Sequence, residues 1–321
     1  MKMTSRNVAI ALVLFGSSLF TATKAAEHRE QTYPLAGTTF TLALDTRFTP
    51  SQKEKLTQWI NQTAHGVSLI SGTFPIPQTR IEVSKASYGQ GPVPWGQINR
   101  DGIEGITFYV NANYPLDAFQ RDWTGMHEFS HLLIPFPGHD DIWLSEGLAS
   151  YFQNMLRGRQ KILTESQVWQ EMHAGFQRGL QDALRQQRPL RELSESMWST
   201  GSYKRVYWSG AAYFLMVDVA LQKANSRHSV SNVLATFQLC CRMQDRRWTG
   251  PKMITEFDRL SQSTIFSDTY KKIIDQDTFP DLTSEYQWLG LDLYGGKLVL
   301  NDSEELRQRR HKLLFDLSES D

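Results

Sequence analysis

His127-Glu128-Phe129-Ser130-His131, followed at short range by Trp143-Leu144-Ser145-Glu146-Gly147-Leu148-Ala149-Ser150-Tyr151, is the stretch on which the fold turns. On a helix advancing about 100° per residue, His131 lies only about 40° around from His127, so both imidazoles can face one metal ion. Met126, Phe129 and Leu133 fall on the opposite side and give the helix an apolar back for a core. Zinc accepts neutral imidazole and carboxylate ligands, and catalytic sites keep three protein groups and one position for water. His127, His131 and Glu146 meet that count with one zinc per chain, leaving Glu128 as a base that does not itself bind metal.

The bland alternative is a surface helix with two hydrogen-bonded histidines. The apolar back and the Glu-Gly-Leu-Ala segment argue against it. Other third ligands have to be weighed, because His139, Asp140 and Asp141 lie closer along the chain than Glu146. The metzincin pattern is excluded, since Ile134 and Pro137 hold its glycine and third-histidine positions. An aspartate-liganded site using Asp140 stays open as the rival. His28, His65, His173, His228 and His311 stand alone and read as surface residues.

The 34 basic and 34 acidic residues cancel, which gives no electrostatic reason to expect nucleic acid or an anionic membrane as a partner. With 321 residues, 40% of them apolar, the chain can bury a substantial core. Lys2 and Arg6, the apolar run Val8 to Phe15 and the small-residue pattern Thr23-Lys24-Ala25 read as an export signal cleaved after Ala25. The run is too short to span a bilayer, so the expectation is a periplasmic or secreted protein without a membrane anchor. Cys240 and Cys241 are adjacent and cannot close a long loop; the favoured reading is two ordinary thiols in an apolar helix.

After the signal, Thr32 to Thr46 alternates, Gln52 to Leu69 has helical spacing, and Arg80 to Ser84 and Gly105 to Val110 look like strands. Ile106 to Asn111 is either an edge strand able to pair with an extended substrate or an ordinary interior strand. The metal helix is expected from near Pro115 or Asp117 to Ile134, where Pro135 and Pro137 stop it. Asp140 or Asp141 can cap the next helix, which carries Glu146 towards Leu156, and the chain to Leu260 reads as successive helices. Arg157 to Arg191 is rich in Arg and Gln and is read as a solvated face, with a basic substrate-binding rim as the other option. A hairpin around Gly295-Gly296 and a charged helix from Ser303 to Leu314 close the chain.

The two quoted segments resemble the zinc signature of gluzincins, the thermolysin-like superfamily, and most closely its aminopeptidase N and glycyl aminopeptidase branches, where the second segment reads Trp-Leu-x-Glu-Gly-Phe-Ala-x-Tyr. The resemblance implies that His127, His131 and Glu146 are ligands and Glu128 the base. Tyr207-Trp208-Ser209-Gly210-Ala211-Ala212 looks like the Tyr-x-x-Gly-Ala stretch of the same relatives, which implies that Tyr207 stabilises the oxyanion, with Tyr203 the fallback and a core tyrosine the other reading. Two departures stand out. Only 14 residues separate His131 from Glu146, fewer than is usual there, and the Gly-x-Met-Glu-Asn sequence that holds a free amino terminus has no counterpart.

The expected fold is therefore α+β with a zincin, thermolysin-like core. After the signal at 1–25, an upper part over 26–134 ends with the metal helix, and a mostly helical lower part over 135–321 carries the third ligand. The expected activity is zinc-dependent hydrolysis of peptide or protein substrates; a non-catalytic zinc-containing scaffold is the alternative from another class.

Overall fold

The computed structural model describes residues 27–244 and 247–315, so the expected signal sequence lies outside the described residues. β1 (His28–Leu35) and β2 (Thr38–Asp45) form a hairpin, α1 (Pro50–Ser68) crosses to β3 (Gln78–Lys85), and β4 (Trp95–Asn99) and β5 (Gly105–Val110) complete a five-stranded sheet of order β1-β2-β3-β5-β4. β2, β3 and β5 run parallel, while β1 and β4 are antiparallel edges.

One expectation is corrected here and one open choice is decided. The alternating run Thr32 to Thr46 is two strands, because Ala36 and Gly37 both take left-handed backbone angles (φ 48° and 80°) and make a tight turn matched to strand twist. And the strand at Gly105–Val110 is interior: β4, a short, Gly-containing strand without an apolar pattern, takes the edge beside the metal helix.

The metal helix is also not continuous. α2 (Leu116–Arg121) ends before Asp122, whose carboxylate accepts from Thr124 N at 2.8 Å and caps α3 (Trp123–Ser130); His131–Leu133 form a 3-10 turn. Arg157, buried, fixes the break by donating to Arg121 O at 2.7 Å. The expected apolar back is present: Met126, Phe129 and Leu133 are buried, with Phe129 stacked on Phe108 of β5 at 6.1 Å. Gly125 lets α3 close on Trp59 of α1, since a Cβ there would lie 2.8 Å from the indole.

The lower part is helical, as expected. α4 (Ile142–Arg159) and α5 (Glu165–Arg185) precede two short helices, α6 (Leu190–Glu195) and α7 (Met197–Thr200), and the long α8 (Tyr203–Lys223). Next come α9 (Val230–Cys240), α10 (Gly250–Ser261), α11 (Ile265–Ile273) and α12 (Thr283–Leu289), then the hairpin β6 (Leu291–Tyr294) and β7 (Lys297–Leu300) and the final α13 (Glu304–Phe315). α4 is buried from Ile142 to Gly158 and touches α8 backbone to backbone, where a Cβ on Gly147 would sit 2.3 Å from Gly210 Cα. This contact brings Glu146 on α4 and Tyr207 on α8 to one end of the interface. Cys240 and Cys241 are joined to each other as a vicinal disulfide, against the expectation of two thiols. Among the described residues no helix is long and apolar enough to cross a membrane.

Candidate metal centre

α3 delivers His127 and, at its C-cap, His131; α4 delivers Glu146 from its second turn. The donor atoms of all three lie within 4.8 Å of one another, and all three residues are buried. Glu146 Oε2 is 3.2 Å from His127 Nε2 and 3.5 Å from His131 Nε2, and the two imidazole planes are nearly perpendicular, 89° apart. A tetrahedral zinc at about 2.0–2.2 Å from each ligand spans donor pairs about 3.3–3.5 Å apart, close to the two separations between the carboxylate oxygen and the imidazole nitrogens. His139, Asp140 and Asp141 lie outside this group. His139 and Asp140 are exposed, while Asp141 accepts from Gly250 N at 2.8 Å.

The opposite nitrogen of each imidazole is occupied. His127 Nδ1 donates to Gln153 Oε1, since an amide oxygen only accepts, and His131 Nδ1 bonds Ser145 Oγ; both distances are 2.9 Å. The bond to Gln153 sets the His127 tautomer with Nδ1 protonated, and both bonds fix the orientation in which each Nε2 faces Glu146. Neither partner was singled out in the sequence. A signal for both existed: Ser145 adjoins Glu146, and Gln153 follows it by two helical turns, on the same face of α4.

Glu128 points away from its neighbours' core face and lies against β4, where a Cβ on Gly96 would come 2.6 Å from Glu128 Cγ. Burial raises its carboxyl above the ordinary value, with the charge of Glu146 adding and the two imidazoles opposing. For Glu146 burial also pushes upward, but the charge and hydrogen bonds of His131 and His127 win and hold the carboxyl well below its ordinary range. Carboxylates of one pocket are thus set apart: Glu146 stays ionised, and Glu128 holds a proton more readily.

Tyr207 stacks on His127 with ring centroids 5.8 Å apart. Burial, then the charges of Glu146 and Glu128, raise its phenol far above the usual value, so it remains a proton donor. Tyr203, one turn earlier on α8, is more exposed and packs on Trp198 at 5.5 Å. The lone histidines lie apart from this centre; His65 and His311 are exposed, whereas His28 and His173 are half-buried on Ser84 and Tyr286.

Comparison with known proteins agrees with this geometry. Residues 137–213, which include Glu146 and Tyr207, match the family of the M61 glycyl aminopeptidases. Among solved structures, the aminopeptidase N family protein from Idiomarina loihiensis superposes with a TM-score of 0.60 at 17% identity, covering 82% of this chain and 49% of that one. The M1 zinc metallopeptidase from Deinococcus radiodurans gives 0.51 at 13% identity, over 80% and 53%. No curated protein sequence matches. The chain therefore has the gluzincin-type fold of the zinc metallopeptidases. Within that class it resembles the aminopeptidase N and glycyl aminopeptidase branches, and it spans about half the length of the solved structures it matches.

Proposed function

We propose that this chain is an exported zinc metallopeptidase that hydrolyses peptide bonds with a water as nucleophile. The observation that carries the reading is the buried His127, His131 and Glu146 triplet at zinc-ligand spacing, with Glu128 and Tyr207 beside it. When bound, zinc supplies a lowered water pKa and polarisation of the scissile carbonyl. Glu128 takes the proton of the attacking water and hands it to the leaving amine, a role suited to a carboxyl whose basicity burial raises. Tyr207, kept protonated, donates a hydrogen bond to the oxygen on which negative charge develops. Gln153 and Ser145 hold the two imidazoles in the orientation that binding requires.

Export rests on the basic, apolar and small-residue order of residues 2–25, with cleavage after Ala25 releasing a periplasmic or secreted protein. Purified mature protein incubated with a mixed peptide library and read by mass spectrometry tests the activity. Cleavage that a chelator abolishes and zinc restores supports it; zinc content of about one per chain without any cut peptide would favour the scaffold reading instead.

A further inference from the structure

A cavity of about 480 Å³ opens directly beside the metal centre, between α4, α5 and α8. Three of its walls already touch His127: Trp123 edge-on at 5.4 Å, Gln153 through Nδ1, and Tyr207 by stacking. A peptide held at the centre would place a flanking residue in this space.

Two polar groups in the lining have no partner. Ser150 is 1% exposed and Asn154 0%, yet Ser150 Oγ and Asn154 Nδ2 make no hydrogen bond. The Asn154 amide is already oriented, because its oxygen accepts from Arg157 Nη2 at 2.6 Å, which commits the unpaired nitrogen to donating. Both atoms are themselves buried, so they lie behind the cavity surface rather than facing into it.

The rim sets the sign of the group the cavity can take. Arg178 lies over the Trp208 ring at 5.0 Å and Lys204 stands one residue from Tyr203; both line the cavity. The one carboxylate in the lining, Glu171, is ion-paired to Arg157 at 2.6 Å, and its charge also acts on Arg178, so one carboxylate faces two cations in the lining and a third behind it. Among the described residues neither Arg178 nor Lys204 has a carboxylate in hydrogen-bond contact. The groove continues outward past Arg178 and Lys204 to Arg185, where Asp182 is engaged by Arg205 N at 3.0 Å. The cation-rich tract Arg157 to Arg191 is therefore more than a solvated face. One of its cationic side chains, Arg178, borders the cavity.

We propose that this cavity is a specificity pocket for a substrate carboxylate next to the scissile bond, with Arg178 and Lys204 supplying the positive rim. It rests on the peptidase reading for its place beside the scissile bond, and binding can be measured without turnover. The carboxylate comes either from an acidic side chain or from the end of the peptide chain.

Isothermal titration of the Glu128→Gln protein, loaded with zinc, separates these sources. One arm compares acetylated and amidated alanine pentapeptides carrying a central glutamate or glutamine; the other compares acetylated trialanine as free acid and as amide. The carboxylate form in at least one arm should bind on the order of tenfold tighter, as charge-assisted hydrogen bonds replace neutral ones. The arm that shows the preference names the source. The Arg178→Gln/Lys204→Gln double variant, altered only at exposed positions, should bring that ratio to within about twofold. Equal binding in both arms, binding by none of the four peptides, or a preference that survives the double variant overturns the proposal. Failure of wild-type protein to cut any peptide would instead count against the peptidase reading, whatever these ratios show.

Discussion

Gln153→Leu is the most discriminating change outside the ligands themselves. The side chain is only 5% exposed, and its Oε1 accepts from His127 Nδ1 at 2.9 Å. Leucine keeps the bulk and removes the acceptor. In the metal-free protein the loss is softened, because the His127 proton can move to Nε2 and be donated to Glu146 Oε2 at 3.2 Å. Once Nε2 is committed to zinc that escape closes, and a buried Nδ1–H is left unpaired. The penalty thus falls on the metal-bound form, and zinc affinity should drop about 10- to 100-fold, or about 1.4–2.8 kcal/mol. Competition against a chromophoric chelator measures it. Gln153→Glu, which retains an acceptor and adds charge, should stay close to wild type or bind more tightly. An affinity for Gln153→Leu within twofold of wild type would refute the reasoning that this amide positions His127.

Three further outcomes follow from the same geometry. Glu146→Ala should weaken zinc binding far more than Asp140→Ala in a chelator competition, since Asp140 is exposed and outside the donor group; the reverse order would move the chain to an aspartate-liganded class. Tyr207→Phe should lower kcat by roughly 10²-fold or more with zinc content unchanged, because one oxyanion donor contributes about 3 kcal/mol; wild-type turnover in this variant with loss in Tyr203→Phe would reassign the role. Gly147→Ala should destabilise the fold by about 1–3 kcal/mol in denaturant unfolding, as the new methyl meets Gly210 Cα at 2.3 Å and must part α4 from α8; unchanged stability would show that the two helices yield at no cost.

Local physics explains which parts were legible in the sequence. The spacing of His127 and His131 and the apolar back at Met126 and Phe129 are consequences of one helical turn, so they could be read without any knowledge of neighbours. Sheet order could not, because β4 is polar, five residues long and crosses out of sequence order to the edge. The break at Asp122 carried a visible capping residue, yet the Arg157 side chain that secures it comes from 36 residues further along. Tyr207 reached the centre in the sequence only through resemblance, since nothing local to α8 states that a glycine pair will draw it against α4. The spacing on α4 placed Ser145 and Gln153 near Glu146, but which imidazole each would meet depended on the relative rotation of α3 and α4, which no single-helix pattern contains.

The central claim is that Glu128 acts on water without binding metal. Glu128→Gln protein, measured for zinc by elemental analysis and for turnover on peptides that the wild type cuts, tests it most directly. The account expects about one zinc per chain, as in wild type, with hydrolysis reduced by about 10²- to 10⁴-fold. Loss of the zinc, or hydrolysis at the wild-type rate, would contradict it.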